Sequence, residues 1–308
     1  MSLTVLYDAP GPKTRRRSMI ASIVGVIVII AFFFWMYVTL AAPRVNETSG
    51  VTTPGMFDPS RWDIMADPVV WQSFGEATVN TLRMAAVAAV LALMIGILFS
   101  FGRAARITWV RVVTGVILEF VRGIPVLLMI FFVFLVFTAG SYWSGVFGLA
   151  LYNGAIIGEA LRAGIRSLPR GQREAGLSVG LTPMKSWILI EFPQAFRQML
   201  PIILAQLVVL LKDTSLAYIV SYPELARTIS NNRNFYGSRY MFTLFVVGLV
   251  IYLALNLTVS WIARFVARRS GPRLGKADLN VPMALGAEGT RAITLPVLER
   301  DRPPDPGH

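Results

Sequence analysis

The chain reads as an all-α integral membrane protein of six transmembrane helices with both termini on the cytoplasmic side. Three observations predict this. Of its 308 residues, 55% are hydrophobic and only 15% are charged, a balance that a soluble core does not need. The apolar residues gather into runs of about 20, the length that crosses a hydrocarbon core roughly 30 Å thick. Lys and Arg fall unevenly on the two sides of those runs, and positive segments stay cytoplasmic. A helix is the only open element that satisfies its own backbone in lipid, so every run is read as a helix.

The expected spans are Met19 to Ala42, Glu76 to Phe101, Val112 to Phe137, Gly145 to Ile165, Met199 to Val220 and Met241 to Ala263. The first is read as a retained helix, because its apolar core outruns the roughly 7 to 15 residues of a signal h-region and Ala-Ala-Pro-Arg is a poor cleavage site. With the N-terminus inside, the cytoplasmic pieces carry 20 Lys and Arg and the opposite pieces 5. The domain plan is then a basic cytoplasmic tail (1–18), an N-terminal helix (19–42), an extracytoplasmic loop (43–73), a core membrane domain (74–265) containing the cytoplasmic segment 166–198, and a cytoplasmic tail (266–308) rich in Pro, Gly and charge that reads as disordered.

Composition excludes several functions. The net charge of +12 sits beside helix ends, where anionic lipid is the expected partner and nucleic acid is not. With no Cys and a single His, His308, there is no disulfide, thiolate or zinc-thiolate chemistry and no His-based catalysis. No phosphate-binding loop for nucleotide is present either. Gly271 to Lys276 (GPRLGK) has the wrong spacing and is followed by Ala277, so nucleotide hydrolysis belongs to another chain.

The polar segment Gly171 to Pro201 (GQREAGLSVGLTPMKSWILIEFPQAFRQMLP) lies between two spans. Pro169 and Gly171 break the fourth span after Leu168, and a short helix is expected from about Gln172 to Val179, with Gly180 as its left-handed cap. Thr182 is placed as an N-cap with Pro183 at the first helical position, opening a second helix that ends at Pro193. The first of these helices is too short to be stable alone in water. Its small residues Ala175, Gly176, Ser178 and Gly180 permit close approach of another protein, and Arg170, Arg173 and Glu174 can orient it. Packing of a basic interfacial helix on lipid headgroups is the competing reading.

Glu174-Ala175-Gly176, three residues, Gly180, nine residues, Ile190, one residue and Phe192-Pro193 resemble the EAA motif of the permease subunits of bacterial ABC importers. Gly176 stands where that family usually has a second Ala, and Phe192 where it usually has Leu. Further strings resemble the polar amino-acid branch, the HisMQ-like binding-protein-dependent family: Thr81-Leu82, Phe120 to Pro125, Gly158 to Ile165, Gly171-Gln172, Pro193-Gln194 and Leu211 to Leu216. Together they cover roughly residues 72 to 265.

The resemblance implies a five-helix type I importer permease core, here preceded by one extra helix, in the bacterial cytoplasmic membrane. It implies no catalytic site and no cofactor on this chain, with ATP and Mg held by a separate ABC ATPase dimer. It also implies a second permease subunit, identical or paralogous, and an extracytoplasmic amino-acid-binding protein. Carried over by position, Gln172, Glu174, Ala175, Gly176, Gly180 and Leu181 form the ATPase-coupling contact. The substrate expected is a polar amino acid, with glutamate or a relative favoured and another small polar solute as the alternative.

Charges in the spans supply the other candidates. Arg83, Glu119, Arg122, Glu159, Arg162, Lys212 and Asp213 lie within or near spans, where an unpaired ion costs at least a few kcal/mol, so they are expected to face the bundle interior. Glu119 with Arg122, and Glu159 with Arg162, are i,i+3 neighbours that can pair; either pair can simply snorkel to water or grip the charged ends of an amino acid. Lys212 and Asp213 point about 100° apart on a helix, so partners on other helices are expected. With Thr214 and Ser215 they are candidates for the translocation path or the subunit interface. Gly154 to Gly158 is a GxxxG, read as close helix packing. An ion-coupled secondary transporter and a docking scaffold without transport remain as other classes.

Overall fold

A computed structural model describes residues 11–45, 50, 52–105 and 107–270, with the side chains of Pro12, Arg170 and Ser270 excepted. Residues 1–10 of the N-terminal tail and residues 271–308, where disorder was expected, lie outside the described residues.

The elements in order are α1 (Pro12–Ala41), a two-stranded antiparallel ribbon β1 (Arg44–Val45) and β2 (Thr52–Thr53), two 3-10 turns, then α2 (Pro68–Ala104), α3 (Thr108–Gly123), α4 (Val126–Phe137) and α5 (Gly140–Ser167). They continue with α6 (Arg170–Ser178), α7 (Pro183–Ser186), α8 (Phe192–Asp213), α9 (Leu225–Tyr236) and α10 (Met241–Ser270). Among the described residues, five helical segments are long and apolar enough to cross a membrane, and a bent pair makes a sixth if taken as one crossing.

That bent pair corrects the third expected span. Val112 to Phe137 is not one helix: α3 and α4 meet at 107°. Pro125 has no N–H to donate and pushes its predecessor out of the helical region, so Ile124 is extended at φ −88°, ψ 129°. The second expected span starts early and runs long as α2, 37 residues capped by Asp67, whose Oδ1 accepts from the Val69 N–H at 2.9 Å. Pro68 follows in the first turn, where its missing N–H costs nothing.

The core is built where α2 and α5 cross. Ala88, Ala92, Leu149, Ile157 and Leu161 are fully buried there, with Ile203 and Leu210 of α8 closing the third side. Small residues set the distance. A Cβ on Gly154 would lie 2.7 Å from Ile95 Cγ2, and one on Gly158 would lie 3.0 Å from the Gly96 carbonyl oxygen, so the GxxxG does bring the fourth expected span against its neighbour. Among polar groups, Asn153 is fully buried and its Oδ1 accepts from Gln206 Nε2 at 2.8 Å, fastening α5 to α8.

Residues 52–66, between the first two long helices, are pinned to the end of the bundle by Arg61. Its guanidinium donates to the Pro54 carbonyl at 3.1 and 2.9 Å and to the Arg239 carbonyl at 2.8 Å, and its own carbonyl accepts from Thr243 at 2.6 Å. Burial of an Arg side chain is tolerated because its donors reach carbonyl oxygens. The additional helix α1 attaches through this loop: Met56 N–H donates to Leu40 O at 2.8 Å, and the Tyr37, Phe57 and Phe242 rings form a chain with centroids 5.2 and 5.4 Å apart. Gly55 is required at that point because a Cβ there would overlap the Ala41 carbonyl. Apart from Gly25, Leu40 and Ala41, the described side chains of α1 are exposed.

Residues 221–240, expected as a loop, carry α9. Glu224 caps it, and its 12 residues are too polar to register as a hydrophobic run.

Candidate coupling surface and membrane polar groups

The segment after α5 folds through local chemistry. Leu168 turns extended before Pro169, and α6 begins at Arg170. At its other end Gly180 takes φ +81°, and the Gly180 and Leu181 N–H groups donate to the Leu177 and Gly176 carbonyls at 3.0 and 3.2 Å. This double bond pattern is a Schellman cap, which needs a residue free of Cβ strain at the left-handed position. Thr182 then caps α7, its Oγ1 accepting from the Lys185 N–H at 3.4 Å, with Pro183 first in the helix.

The second helix does not end at Pro193. A π-helical turn, Trp187–Glu191, joins α7 to α8, and the Phe192 N–H donates to the Trp187 carbonyl. The wider turn reroutes the ladder just before the proline, so the ring and its missing donor are accommodated without a break. The fifth span is therefore continuous with α7, from Pro183 to Val220.

Of the six residues assigned to the coupling contact, Gln172, Glu174, Ala175 and Gly180 are exposed and Leu181 is half-buried. Gly176 faces the other way. A Cβ there would lie 2.6 Å from Ser186 Oγ and 2.9 Å from Ile190 Cδ1, so it sets the approach of α6 to the turn behind it. That contact, together with Gln194 Nε2 donating to Gln172 Oε1 at 3.1 Å, gives the short helix support within its own chain. Leu177 and Val179 are 39% and 77% exposed. They are apolar side chains at the tip of a polar loop, and the small-residue pattern did not single them out.

The charged candidates separate into two groups. Glu159 and Arg162 pair on α5 as expected, Arg162 Nε donating to Glu159 Oε2 at 2.9 Å and Nη2 donating to Oε1. Glu119 and Arg122 do not pair among the described residues. Both are exposed on the outer side of α3, and exposed ions gain too little to fix two long side chains together. The expectation that the span charges face the interior of this chain also fails for Arg83 and Lys212, which are exposed. Arg83 instead lies over the Tyr142 ring, 5.2 Å from its centroid.

Lys212 and Asp213 close α8, about 30 Å along that helix from Phe192 at 1.5 Å per residue. No other helix of this chain supplies either with an ion pair among the described residues. The backbone here tightens into a 3-10 turn, Thr214–Val220. Thr214 is fully buried, and its hydroxyl donates to the Leu211 carbonyl at 2.7 Å; Ser215 donates to the Lys212 carbonyl at 2.9 Å. The Tyr252 hydroxyl lies 2.8 Å from both carbonyl oxygens. Thr214 therefore serves the helix end, while Ser215 also lines a cavity of about 440 Å³ with Leu127, Ile229, Ser230 and Arg233. The Arg233 Nε is buried there without a hydrogen-bond partner among the described residues. Arg233 lay in a segment read as a loop, so no spacing pointed to it.

Glu224, the N-cap of α9, is fully buried and accepts from the Ala226 and Arg227 N–H groups at 2.7 Å each. Burial pushes its carboxyl up to about 7, and the two N–H groups pull in the opposite direction.

Long apolar helices with one sharply kinked pair, a capped polar segment between two of them and charges within the spans describe an integral membrane protein. Residues 92–271 match the family of binding-protein-dependent transport system inner membrane components, and the chain belongs to that family. It is 34% identical over 240 residues to the glutamate transport system permease protein GluD of Corynebacterium glutamicum, covering 74% of this chain and 85% of that one. It is 33% identical over 206 residues to the probable glutamine ABC transporter permease protein GlnP of Bacillus subtilis, covering 63% and 90%. Among solved structures, an amino acid ABC transporter crystallised with histidines aligns with a TM-score of 0.61 at 23% identity over 67% of this chain and 98% of that one. The chain is thus a multi-pass permease subunit of the inner membrane and not an enzyme. This membership displaces the secondary-transporter and scaffold readings.

Proposed function

We propose that this chain is the transmembrane subunit of an ATP-driven importer for a polar amino acid, glutamate or a close relative, working by alternating access with both termini cytoplasmic. The observation that carries the coupling role is the exposed face of α6: Gln172, Glu174 and Ala175, with Leu177 and Val179 at the tip, held on a Schellman-capped turn continuous with α8. Such a face seats in a groove of a separate ATPase, which binds the ATP and Mg. The glutamate and glutamine permeases it resembles support the substrate class.

Exposed Arg83 and Lys212 and half-buried Asp213 are the groups that a second permease subunit covers, since lipid cannot solvate them. Ser215 and Arg233 line the cavity that suits a carboxylate on the substrate path. An extracytoplasmic binding protein delivers the substrate. Uptake of labelled glutamate, competed by a panel of amino acids, tests the substrate class. Replacement Gly180→Trp tests the coupling: the protein inserts, uptake is lost and the ATPase is uncoupled. Unchanged uptake in that variant overturns the coupling role.

A further inference from the structure

At the end of the bundle that carries α6, a cavity of about 550 Å³ opens between the last turns of α2 and α5, the start of α3, and the α7 and π turns. Four arginines line it: Arg103, Arg162, Arg166 and Arg173. Arg162 is neutralised by Glu159. The other three have no ion pair among the described residues, and the one carboxylate in the wall, Glu191, already accepts from Ser186 Oγ at 3.4 Å. Against four guanidinium groups stand the Glu191 and Glu159 carboxylates, which leaves the cavity an excess of about two positive charges among the described residues.

A second observation is independent of charge. Ser100 is 1% exposed, lines this cavity, and its Oγ has no hydrogen-bond partner among the described residues. Many helical hydroxyls elsewhere in the protein donate to a carbonyl three or four residues back, as Ser167 does to Gly164, Thr81 to Ala77 and Ser144 to Gly140. Ser100 forgoes that bond, and a buried hydroxyl without a partner costs about 1 to 3 kcal/mol. The Arg103 guanidinium is also given its place: a Cβ on Gly115 would overlap its Nη1.

We propose that this cavity binds a phosphate group, held by Arg103, Arg166 and Arg173 with a further hydrogen bond from Ser100. Guanidinium groups match phosphate geometry, and three of them suit an anion with several acceptor oxygens better than a single carboxylate. The phosphate comes either from an anionic lipid headgroup or from a free phosphate. Trp187 and Met184 supply an apolar wall, which an acyl chain fills and a free ion does not. Because Arg103 and Arg166 stand at the ends of α2 and α5 while Arg173 stands on α6, the bound phosphate clamps α6 to the spans. That consequence for transport rests on α6 being the coupling helix; the binding does not.

Binding is measured on the full-length protein in nanodiscs of phosphatidylcholine, without ATPase, so that its failure leaves the coupling reading standing. In one arm phosphatidylglycerol is added in steps to about a third of the lipid; in the other, inorganic phosphate is titrated to millimolar levels. The readouts are lipids retained in native mass spectrometry and the melting temperature. A saturable shift in the first arm alone assigns a lipid headgroup, and a saturable shift with inorganic phosphate assigns a free ion. Arg103→Gln combined with Arg166→Gln lowers the affinity roughly tenfold or more, Ser100→Ala lowers it several-fold in a protein that keeps its fold, and the triple replacement of Arg15, Arg16 and Arg17 by Gln leaves it unchanged. No saturable shift in either arm overturns the proposal. So does a shift that survives both Ser100→Ala and Arg166→Gln, or that disappears only with the N-terminal arginines.

Discussion

Gln194 Nε2 donates to Gln172 Oε1 at 3.1 Å while also donating to the Ile190 carbonyl at 3.0 Å. The first turn of α6 is thereby tied to the first turn of α8 across a sequence gap that contains the Gly180 turn. Both side chains are exposed, so the bond adds only about 0.5 to 1.5 kcal/mol to stability. Its effect is on position. Gln172→Leu is expected to leave the melting temperature within about 2 °C of native and to reduce substrate uptake several-fold in reconstituted transporter. A fall in melting temperature that accounts for the lost uptake would show the bond to be structural only.

Glu224 makes stability depend on pH. Its carboxyl titrates at about 7 in the folded protein against 4.5 for the free group. The unfolded chain therefore releases its proton first, and stability present below about pH 4.5 is lost as pH rises through about 7. At 1.36 kcal/mol per pH unit the loss amounts to about 3 kcal/mol across that window. Melting temperature between pH 5 and 7.5 should fall in the native protein and stay nearly level in Glu224→Gln, which keeps an oxygen for one of the two capped N–H groups. Parallel profiles for the two proteins would remove Glu224 as the source.

Gly148 measures how closely α5 approaches α4. A Cβ added there would lie 2.7 Å from Ile130 Cα and 2.9 Å from Ile130 N. These are backbone atoms that cannot swing aside, unlike the side-chain ends facing most of the other helix glycines. Gly148→Ala should destabilise by about 1 to 3 kcal/mol and lower the melting temperature accordingly, while Gly75→Ala, with open space around it, should not.

The parts of this architecture that were legible in the sequence are those decided within a few residues. Gly180, Thr182 and Pro183 specify a left-handed cap, an N-cap and a first helical residue, and the chain folds so. The GxxxG at Gly154 and Gly158 likewise announces close packing. Hydropathy recorded that residues 112–137 are apolar but carries no direction, so the 107° turn at Pro125 was hidden inside one run. Pro193 reads as a terminator in sequence because the preceding π turn, which admits it, has no sequence pattern of its own. Spacing placed Glu119 near Arg122, yet only burial makes pairing worthwhile, and α3 leaves both exposed. The inward orientation of Gly176 depends on Ser186 and Ile190 arriving behind it, and the meeting of Ser215 with Arg233 depends on α9 folding back. No local rule encodes either.

Lys212 and Asp213 provide the sharpest separation of stability from function. Lys212 is exposed and Asp213 half-buried, and neither forms an ion pair among the described residues. Their removal therefore takes no ion pair from the described residues. Lys212→Leu with Asp213→Leu is expected to leave insertion and melting temperature of the isolated chain unchanged or slightly raised, because two ions costly to hold in a span are gone. In the assembled transporter the same change should cut uptake by roughly tenfold or more, the 1.4 kcal/mol scale of a single charge-assisted contact at the path or the subunit interface. The single variants decide which ion matters. A loss with Lys212→Leu alone assigns the contact to the exposed ammonium, and a loss with Asp213→Leu alone assigns it to the carboxylate. Normal uptake in the double variant would take both residues out of the transport mechanism.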